Sequence, residues 1–393
     1  MGVEVTISMI PRKASETLRK LAKSFPVVSV TGPRQSGKTT IVRHVFAEKS
    51  YVTLEDPDVR EYALQDPRAF LAQFPDGAIL DEIQRSPELF SYLQGVVDQD
   101  GRMGLFVLTG SQQFGLRAGI SQSLAGRVGT VELLALSLTE LENAALRSET
   151  LDTQLFKGGY PPIYDRPVDP GQWHGAYIST YLERDVRQLI NIKDIALFQR
   201  FLRICANYTG QLVNLTQISN DCGITHKTAE SWLSVLEASY LVKRLQPWYR
   251  NFNKRLVKTP KLYFYDTGLV CWLLGIRDQG QLTHHAMRGA LFENLVVSET
   301  LKQLLIQGEN PELWFWRDRS GHEIDLVLEH AGQFSAVEIK SGKTLSSDQF
   351  KGLKYWNSLS NNEGKSILIY GGDKTQQRDT IEVLPWFSMH KIL

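Results

Sequence analysis

Nine consecutive residues beginning at Gly32, GPRQSGKTT, fit the phosphate-binding pattern GxxxxGK[ST] completely. Glycine at both ends lets the backbone curl until several N–H groups point at phosphate oxygens, and the N-terminus of the following helix adds to this attraction. Lys38 would reach the β- and γ-phosphates of ATP, and the Thr39 hydroxyl would ligate Mg²⁺. A glycine-rich turn that matches by accident is the alternative. The predicted nucleotide-binding residues are Gly32, Pro33, Arg34, Gln35, Ser36, Gly37, Lys38, Thr39, Thr40 and Ser111.

An acidic pair ends a second apolar run, Gly77-Ala-Ile-Leu-Asp81-Glu82. In this Walker B arrangement Asp81 would hold the Mg²⁺ shell, and Glu82 would polarise the attacking water as a general base. A glutamate in that place indicates a hydrolase more than a kinase, because it positions water rather than a second substrate. The alternative for the pair is a solvated acidic turn, but the loop and the pair together are more specific than either alone.

Further polar residues are candidates for contacts with the γ-phosphate. Ser111 or Gln112, after the apolar run that starts at Leu105, could bond this phosphate or its water, although a plain strand-to-loop turn is the alternative. Arg127 and Arg184 are candidates for an arginine finger that neutralises transition-state charge, in cis or from a neighbouring subunit. For either arginine a solvated salt bridge is the alternative. Arg127 is the favoured catalytic candidate.

A second set of carboxylates lies near the C-terminus. Glu293 is on a probable helix, Asp325 starts an apolar strand, and Glu338-x-Lys340 lies on the next strand, where alternation puts both side chains on one face. Asp325 and Glu338 would ligate one Mg²⁺, Lys340 would steer a water, and Glu293 would complete the shell, which is the chemistry of phosphodiester cleavage. A nuclease-like fold without activity, or a surface charge pattern, is the alternative.

The middle of the chain contains a predicted helix-turn-helix from Leu215 to Leu241, with Gly223 as a C-cap and Thr225 as an N-cap. A basic segment, Lys243–Lys261, follows it. This segment would be a phosphate-gripping wing with exposed aromatic residues, or it carries only solvated charges on a structural module. Its basic residues are Lys243, Arg244, Arg250, Lys254, Arg255, Lys258 and Lys261, and its interleaved aromatic residues are Trp248, Tyr249 and Phe252.

The elements that must position these residues form an α/β pattern. Short apolar runs alternate with helical stretches from about Ser24 to Leu138, as in a parallel sheet wound with helices; the runs are Val27–Thr31, Tyr51–Leu54, Ala78–Leu80, Leu105–Thr109 and Val131–Leu134. We predict a P-loop ATPase core over 1–138, a helical lid or connector over 139–205, a winged-helix-like segment over 206–280 and a mixed α/β nuclease-like domain over 281–393.

Composition limits the classes of protein. The chain has 393 residues, with 44 Lys and Arg against 43 Asp and Glu, so its net charge of +1 predicts no global attraction to nucleic acid or membrane. Cys205, Cys222 and Cys271 are far apart, which indicates buried thiols in a reducing compartment. There is no basic-then-apolar leader and no apolar run long enough to span a membrane. We expect a cytoplasmic protein.

Across nearly its whole length the sequence resembles bacterial and archaeal ATPases that join an AAA-type ATPase module to a DUF4143 domain. The motifs that carry the resemblance are GPRQSGKTT, AILDEIQ, LTGSQQF, SLAGR, YLERDV, YFYDTGL, GALFENLV, HEIDLVL and AVEIKSGK. The resemblance implies an AAA-like core, a winged-helix segment and a terminal domain similar to PD-(D/E)XK nucleases. It implies that Lys38, Thr39, Asp81 and Glu82 serve the nucleotide, and that Glu293, Asp325, Glu338 and Lys340 are nuclease positions. Assembly into a homo-oligomer, as a ring, would put Arg127 or Arg184 at a neighbour's nucleotide.

These observations lead to one main hypothesis and one rival. The main hypothesis is a Mg²⁺-dependent ATPase that couples its nucleotide state to a nucleic-acid-directed C-terminal domain, for which nuclease activity is left open. The rival is an ATP-controlled scaffold or signalling switch with an inactive, nuclease-like recognition domain. A small-molecule kinase is a distant third, because no acceptor site stands out.

Overall fold

The computed structural model describes residues 9–111, 120, 123–181, 194–248, 257–330, 332–360 and 364–393. The chain forms two compact units. The first consists of Met1–Leu136 with two later segments, Ala238–Tyr240 and Leu304–Asn310, and the second holds the remainder. The predicted boundary after residue 280, between the winged-helix-like segment and the nuclease-like domain, lies inside the second unit. The finer division into four domains stays a prediction.

The first unit is built on five parallel strands in the order β2-β3-β4-β1-β5. Parallel pairing brings the carboxyl ends of all five strands to one edge of the sheet, which is where open α/β sheets bind ligands. The predicted parallel-sheet P-loop core is therefore confirmed. The fifth strand begins three residues before the predicted run at Val131. The strands are β1 Val27–Thr31, β2 Ser50–Thr53, β3 Ala78–Asp81, β4 Phe106–Gly110 and β5 Val128–Glu132.

Helices cover both faces of this sheet. Alternate residues of β1 enter two separate hydrophobic clusters, since Val27 packs in one and Val28 in the other. This explains why the predicted strands are continuous apolar runs instead of alternating ones. The helices of the first unit are α1 Ala14–Ser24, α2 Lys38–Val45, α3 Pro57–Gln65, α4 Pro67–Ala72 and α5 Leu89–Asp100.

The second unit begins with helices and a strand pair. Gly223 ends one helix in a left-handed conformation, and the hydroxyl of Thr225 accepts a hydrogen bond from the Thr228 N–H to begin the next. The helices are α6 Leu138–Asn143, α7 Leu151–Lys157, α8 Pro162–Asp165, α9 Pro170–Tyr181, α10 Ile195–Asn207, α11 Leu215–Cys222, α12 His226–Ala238, α13 Thr267–Leu273 and α14 Arg288–Ile306, of which α14 extends into the first unit. The antiparallel pair is β6 Val242–Leu245 and β7 Lys261–Phe264.

A six-stranded mixed sheet completes the second unit in the order β12-β13-β11-β10-β9-β8. Strands β8, β9 and β10 are antiparallel neighbours, whereas β10, β11 and β13 run parallel. The strands are β8 Leu313–Arg317, β9 Glu323–His330, β10 Gln333–Lys340, β11 Lys365–Tyr370, β12 Gln376–Arg378 and β13 Ile381–Pro385, and the helix α15 spans Lys351–Ser360. Within the described ranges, no helix is long and apolar enough to cross a membrane.

Candidate functional site

The phosphate loop lies between β1 and α2 at the carboxyl edge of the first sheet. Gly32 has φ 148° and Gly37 has φ 90°. A Cβ on Gly32 would lie 2.1 Å from the Leu133 carbonyl oxygen, so only glycine fits beside this backbone. Gln35 also has a left-handed backbone, at φ 62°. Two glycines and a strained residue therefore curl the loop as the motif requires.

Lys38 folds back into the loop that it follows. Its side chain is 7% exposed, and Nζ donates to the carbonyl oxygens of Gly32 at 3.0 Å and Pro33 at 2.7 Å. The ammonium group is thus held over the loop by neutral acceptors, where an anionic phosphate would be a stronger partner.

Arg12 is a loop contact that sequence reasoning missed. It lies before α1, is 8% exposed, and donates to Ser36 O at 2.6 Å and Leu134 O at 2.8 Å. One guanidinium therefore ties the phosphate loop to the segment after β5. No motif marks this residue, because its partners are backbone carbonyls far away in the chain.

Asp81 ends β3 beside the phosphate loop and accepts from three hydroxyl groups. Its Oδ2 lies 2.9 Å from Thr39 Oγ1 and 2.7 Å from the Tyr51 hydroxyl, and its Oδ1 contacts Thr109 Oγ1. Burial and the carboxylate of Asp81 raise the pKa of Tyr51 above its ordinary value. A hydroxyl and a carboxylate side by side are oxygen ligands of the kind that Mg²⁺ prefers. The residues present therefore fit this metal.

Glu82 follows with a left-handed backbone, at φ 55°. Its Oε2 accepts from Gln84 Nε2 at 2.5 Å and from Ser111 Oγ at 3.3 Å. The structure thus brings three predicted residues, Asp81, Glu82 and Ser111, to the same edge as the loop. Gln112 and Arg184 lie outside the described residues.

Arg127 lies at the opposite end of the sheet from the phosphate loop. Its carbonyl oxygen accepts from Val27 N at the start of β1, whereas the loop begins after Thr31, roughly 13 Å further along the strand. Its guanidinium makes a forked pair with Asp98, at 2.5 and 2.8 Å. The interpretation of Arg127 as a finger in cis is therefore wrong, and a role at a neighbouring subunit stays a prediction.

Tyr240 is a second residue that sequence reasoning missed. It is fully buried in the first unit, has φ 57°, and its hydroxyl donates to Thr31 Oγ1 at 2.9 Å. Thr31 is the last residue before the loop. The residues on either side of the segment Ala238–Tyr240 belong to the second unit, so this segment links α12 and β6 to the base of the loop through the chain itself.

The C-terminal acidic residues also come together, within the second unit. Lys340 Nζ lies 2.5 Å from Glu338 Oε1 and 3.8 Å from Asp325 Oδ2. Glu293 Oε1, on α14, accepts from Lys261 at 2.8 Å and from the Tyr263 hydroxyl at 2.5 Å. Lys261 and Tyr263 come from β7, and neither was predicted to belong to this cluster.

The charges of this cluster perturb one another. Burial raises the pKa of Glu338 to about 8, with Asp325 adding to the effect. Burial also raises the pKa of Glu293, against the attraction of Lys261. Burial alone would lower the pKa of Lys261, but Tyr263 and Glu293 raise it well above its ordinary value.

The predicted metal ligands of this cluster have lysine partners in the structure. Among the described residues, no group of three His, Cys, Asp or Glu side chains is arranged to hold a metal ion. Lysine ammonium groups contact Glu293, Asp325 and Glu338, so these residues are salt-bridged, and their assignment as metal ligands stays a prediction.

The basic segment Lys243–Lys261 also differs from the prediction. Arg244 is paired with Glu230 at 2.6 Å and with Glu237 at 2.5 Å, and Lys261 is buried in the acidic cluster. Trp248 was expected to be exposed, but it is buried and packs edge-on against Trp314. These residues are therefore unsuited to gripping a phosphate. The basic residues of 249–256 lie outside the described part of the chain.

Three family models match consecutive parts of the sequence. An AAA domain matches residues 24–142, a domain of unknown function (DUF8612) matches 148–280, and another domain of unknown function (DUF4143) matches 288–389. The predicted combination of an AAA domain with a DUF4143 domain is confirmed.

Curated relatives and solved structures resemble the chain at different levels. The "Uncharacterized protein Rv2008c" of Mycobacterium tuberculosis is 36% identical over 336 residues, covering 85% of this chain and 74% of its own, and "Uncharacterized protein Mb2031c" of Mycobacterium bovis gives the same values. The Walker-type ATPase PABY2304 of Pyrococcus abyssi is 14% identical with a TM-score of 0.44, over 67% of this chain and 96% of its own.

Proposed function

The chain belongs to the same family as the mycobacterial protein Rv2008c, and we propose that its AAA-type domain binds ATP with Mg²⁺ and hydrolyses it at the phosphate loop. The observation that carries the proposal is the 2.9 Å bond between Thr39 Oγ1 and Asp81 Oδ2. It joins the end of the loop to the acidic strand, which is the arrangement that phosphoryl transfer to water requires in P-loop enzymes.

The roles of the residues follow from their charges and partners. Lys38 exchanges two carbonyl acceptors for the phosphates, while backbone N–H groups of the loop and of α2 hold the phosphate oxygens. Thr39 and Asp81 would hold Mg²⁺, which would supply positive charge to offset that of the ATP phosphates. Glu82 accepts a proton from the attacking water. Ser111 and Gln84 keep its carboxylate at the sheet edge.

Phosphate release by the purified full chain tests these roles. We expect Glu82→Gln to reduce turnover by about 10²- to 10⁴-fold, as is usual for the loss of a general base, while binding of a fluorescent ATP analogue is kept. Lys38→Ala is expected to lose both binding and turnover. Glu88→Gln removes an exposed carboxylate of the same unit and is the matched control. Unchanged turnover in Glu82→Gln would refute the assignment of the general base.

We further propose that nucleotide state is coupled to the second unit through Tyr240. The support is its buried hydroxyl bond to Thr31, directly before the loop, together with its place in the chain between α12 and β6. A change in the loop on binding or hydrolysis would act on this bond first. The helix pair α11 and α12 with the strand pair β6 and β7 would form the winged helix that responds.

Two alternative functions of the second unit would follow from this coupling. A nucleic-acid-directed second unit is favoured by the helix-turn-helix, on which Lys227 is exposed at the start of α12. A scaffold or switch with an inactive, nuclease-like recognition domain is favoured by the salt-bridged state of Glu293, Asp325 and Glu338.

ATP hydrolysis measured with and without duplex or single-stranded DNA separates these functions. Stimulation that falls with salt and is lost on replacing Lys227, Lys254 and Arg255 together would support nucleic-acid coupling. Hydrolysis indifferent to DNA at low and moderate salt would support the switch. The size of the purified protein in solution tests its assembly. We propose a cytoplasmic homo-oligomer, such as a ring, in which Arg127 would serve a neighbour's nucleotide.

A further inference from the structure

Lys261 occupies the centre of the acidic cluster in the second unit. Its side chain is 4% exposed, and its Nζ contacts Glu293 Oε1 at 2.8 Å and also Glu323 Oε1. The strand β7 brings it there from a segment that precedes the DUF4143 match by 27 residues. An ammonium group this deeply buried needs carboxylate partners, and the cluster supplies two of them directly.

The other donors of the cluster contact the remaining carboxylates. Tyr263 donates to the same oxygen of Glu293 as Lys261 does, Lys340 contacts Glu338 and Asp325, and Arg317 lies 3.2 Å from Glu323. Asp325 Oδ2 also accepts from the Ile339 N–H at 2.8 Å. Three cations therefore face the four carboxylates Glu293, Glu323, Asp325 and Glu338.

The charges of the cluster work against a metal ion. Oε2 of Glu338 is buried without a hydrogen-bond partner, and Gly352 of helix α15 lies near it, since a Cβ built on this glycine would come within 3.2 Å. A Mg²⁺ ion keeps several waters at about 2.1 Å and demands near-octahedral geometry around itself. Beside Glu293, Asp325 and Glu338 such a shell would have to displace ammonium groups that already contact these carboxylates.

We propose that Lys261 is the resident cation of this cluster, so that the second unit completes its acidic site with an ammonium group where a divalent metal ion was expected. The cluster then acts through its fixed charges and shape, and metal-assisted cleavage is not a property of the native site. This inference goes beyond ATP hydrolysis and does not depend on it, because every residue that carries it lies in the second unit.

Binding of Mn²⁺ to the full chain, followed by electron paramagnetic resonance without nucleotide, tests the proposal. The experiment uses an Asp81→Asn background, which disables the phosphate-loop metal site in the first unit. We expect no saturable Mn²⁺ binding up to about 1 mM in this background. Adding Lys261→Met, which keeps the length of the side chain and removes its charge, is expected to tighten binding at least about tenfold, and adding Glu293→Gln as well to abolish it.

Two results would overturn the inference. One is saturable Mn²⁺ binding by the Asp81→Asn background that Asp325→Asn removes. The other is a folded Lys261→Met variant that gains no Mn²⁺ affinity. Because loss of Lys261 leaves buried carboxylates uncompensated, this variant can fail to fold. The melting temperature of the Asp81→Asn chain then decides: equal values in EDTA and in Mg²⁺ support the proposal, and stabilisation by Mg²⁺ overturns it. Failure of ATP hydrolysis would leave these readouts untouched.

Discussion

Replacing Tyr240 by phenylalanine isolates the bond that we propose couples the phosphate loop to the middle of the chain. The change removes only the hydroxyl group that donates to Thr31 Oγ1 at 2.9 Å, and it keeps the buried ring. Both residues are at most 1% exposed, so no solvent can replace the lost bond without rearrangement. Thr31 stays anchored on its other side, because its carbonyl oxygen accepts from Leu133 N at 2.7 Å.

The magnitude follows from the burial of this bond. A neutral hydrogen bond contributes about 0.5–1.5 kcal/mol, and a buried partner left without its donor costs about 1–3 kcal/mol. We therefore expect a loss of about 1–2 kcal/mol in the free energy of unfolding. For a unit of roughly 150 residues this lowers the melting temperature by about 2–8 °C.

Calorimetry and steady-state ATP hydrolysis measure the two consequences. Tyr92→Phe is the matched control, because its hydroxyl is at an exposed position on α5 of the same unit. We expect the Tyr240 variant to melt earlier and to show a raised KM for ATP, since the strand end before Gly32 is less firmly held, while the Tyr92 variant behaves as wild type. A Tyr240→Phe chain with unchanged melting and unchanged KM would refute both the energetic estimate and the coupling role.

Two further predictions concern buried charged or titratable groups. Arg12→Lys keeps the charge, but the lysine cannot reach both Ser36 O and Leu134 O. We therefore expect a raised KM for ATP and a loss of about 1.5–3 kcal/mol in the free energy of unfolding. An equal KM and an equal melting temperature in the variant and the wild type would contradict this. His174 is buried with its Nδ1 unpartnered, and burial lowers its pKa, against a smaller opposing effect of Asp266. In the unfolded chain, where the histidine pKa is about 6.5, the side chain binds a proton more readily than in the folded chain. The free energy of unfolding is therefore unaffected by His174 above that pH, and on acidification it falls by up to about 1.4 kcal/mol per pH unit. Denaturant unfolding between pH 7.5 and 5 should show this slope weakened in His174→Gln, and an equal slope would exclude His174 as its source.

The fold of the first unit could be predicted because its strands lie in local patterns. β1 was predicted with its observed bounds, since Val27–Thr31 is a continuous apolar run directly before a glycine-rich loop. β5 was predicted three residues too late, because Val131–Leu134 is more apolar than Val128–Gly129, and the pairing of Val128 with Val27 that sets the strand is a long-range contact.

The sites could be predicted only as far as their residues are neighbours in the chain. The loop and the pair Asp81–Glu82 are local motifs, and the structure brings them together. Three residues reach their sites from distant segments of the chain: Arg12 bonds to backbone carbonyls, Tyr240 to a hydroxyl and Lys261 to carboxylates. No spacing rule in the sequence marks such contacts. The expected exposure of Trp248 was wrong for a related reason, since its partner Trp314 comes from another strand.

The two acidic sites differ in the groups that compensate their charge. Asp81 is surrounded by the hydroxyls of Thr39, Tyr51 and Thr109, which donate hydrogen bonds but leave the negative charge in place. A site of that kind still gains from a cation, and ATP with Mg²⁺ would bring one. Glu293 and Glu338 are instead bonded to ammonium groups, which offset most of the charge within the protein. A metal ion entering there would have to displace a buried lysine, whose own desolvation is then uncompensated. The same side-chain chemistry therefore predicts a metal-dependent first unit and a metal-independent second unit, although the sequence places carboxylates in both.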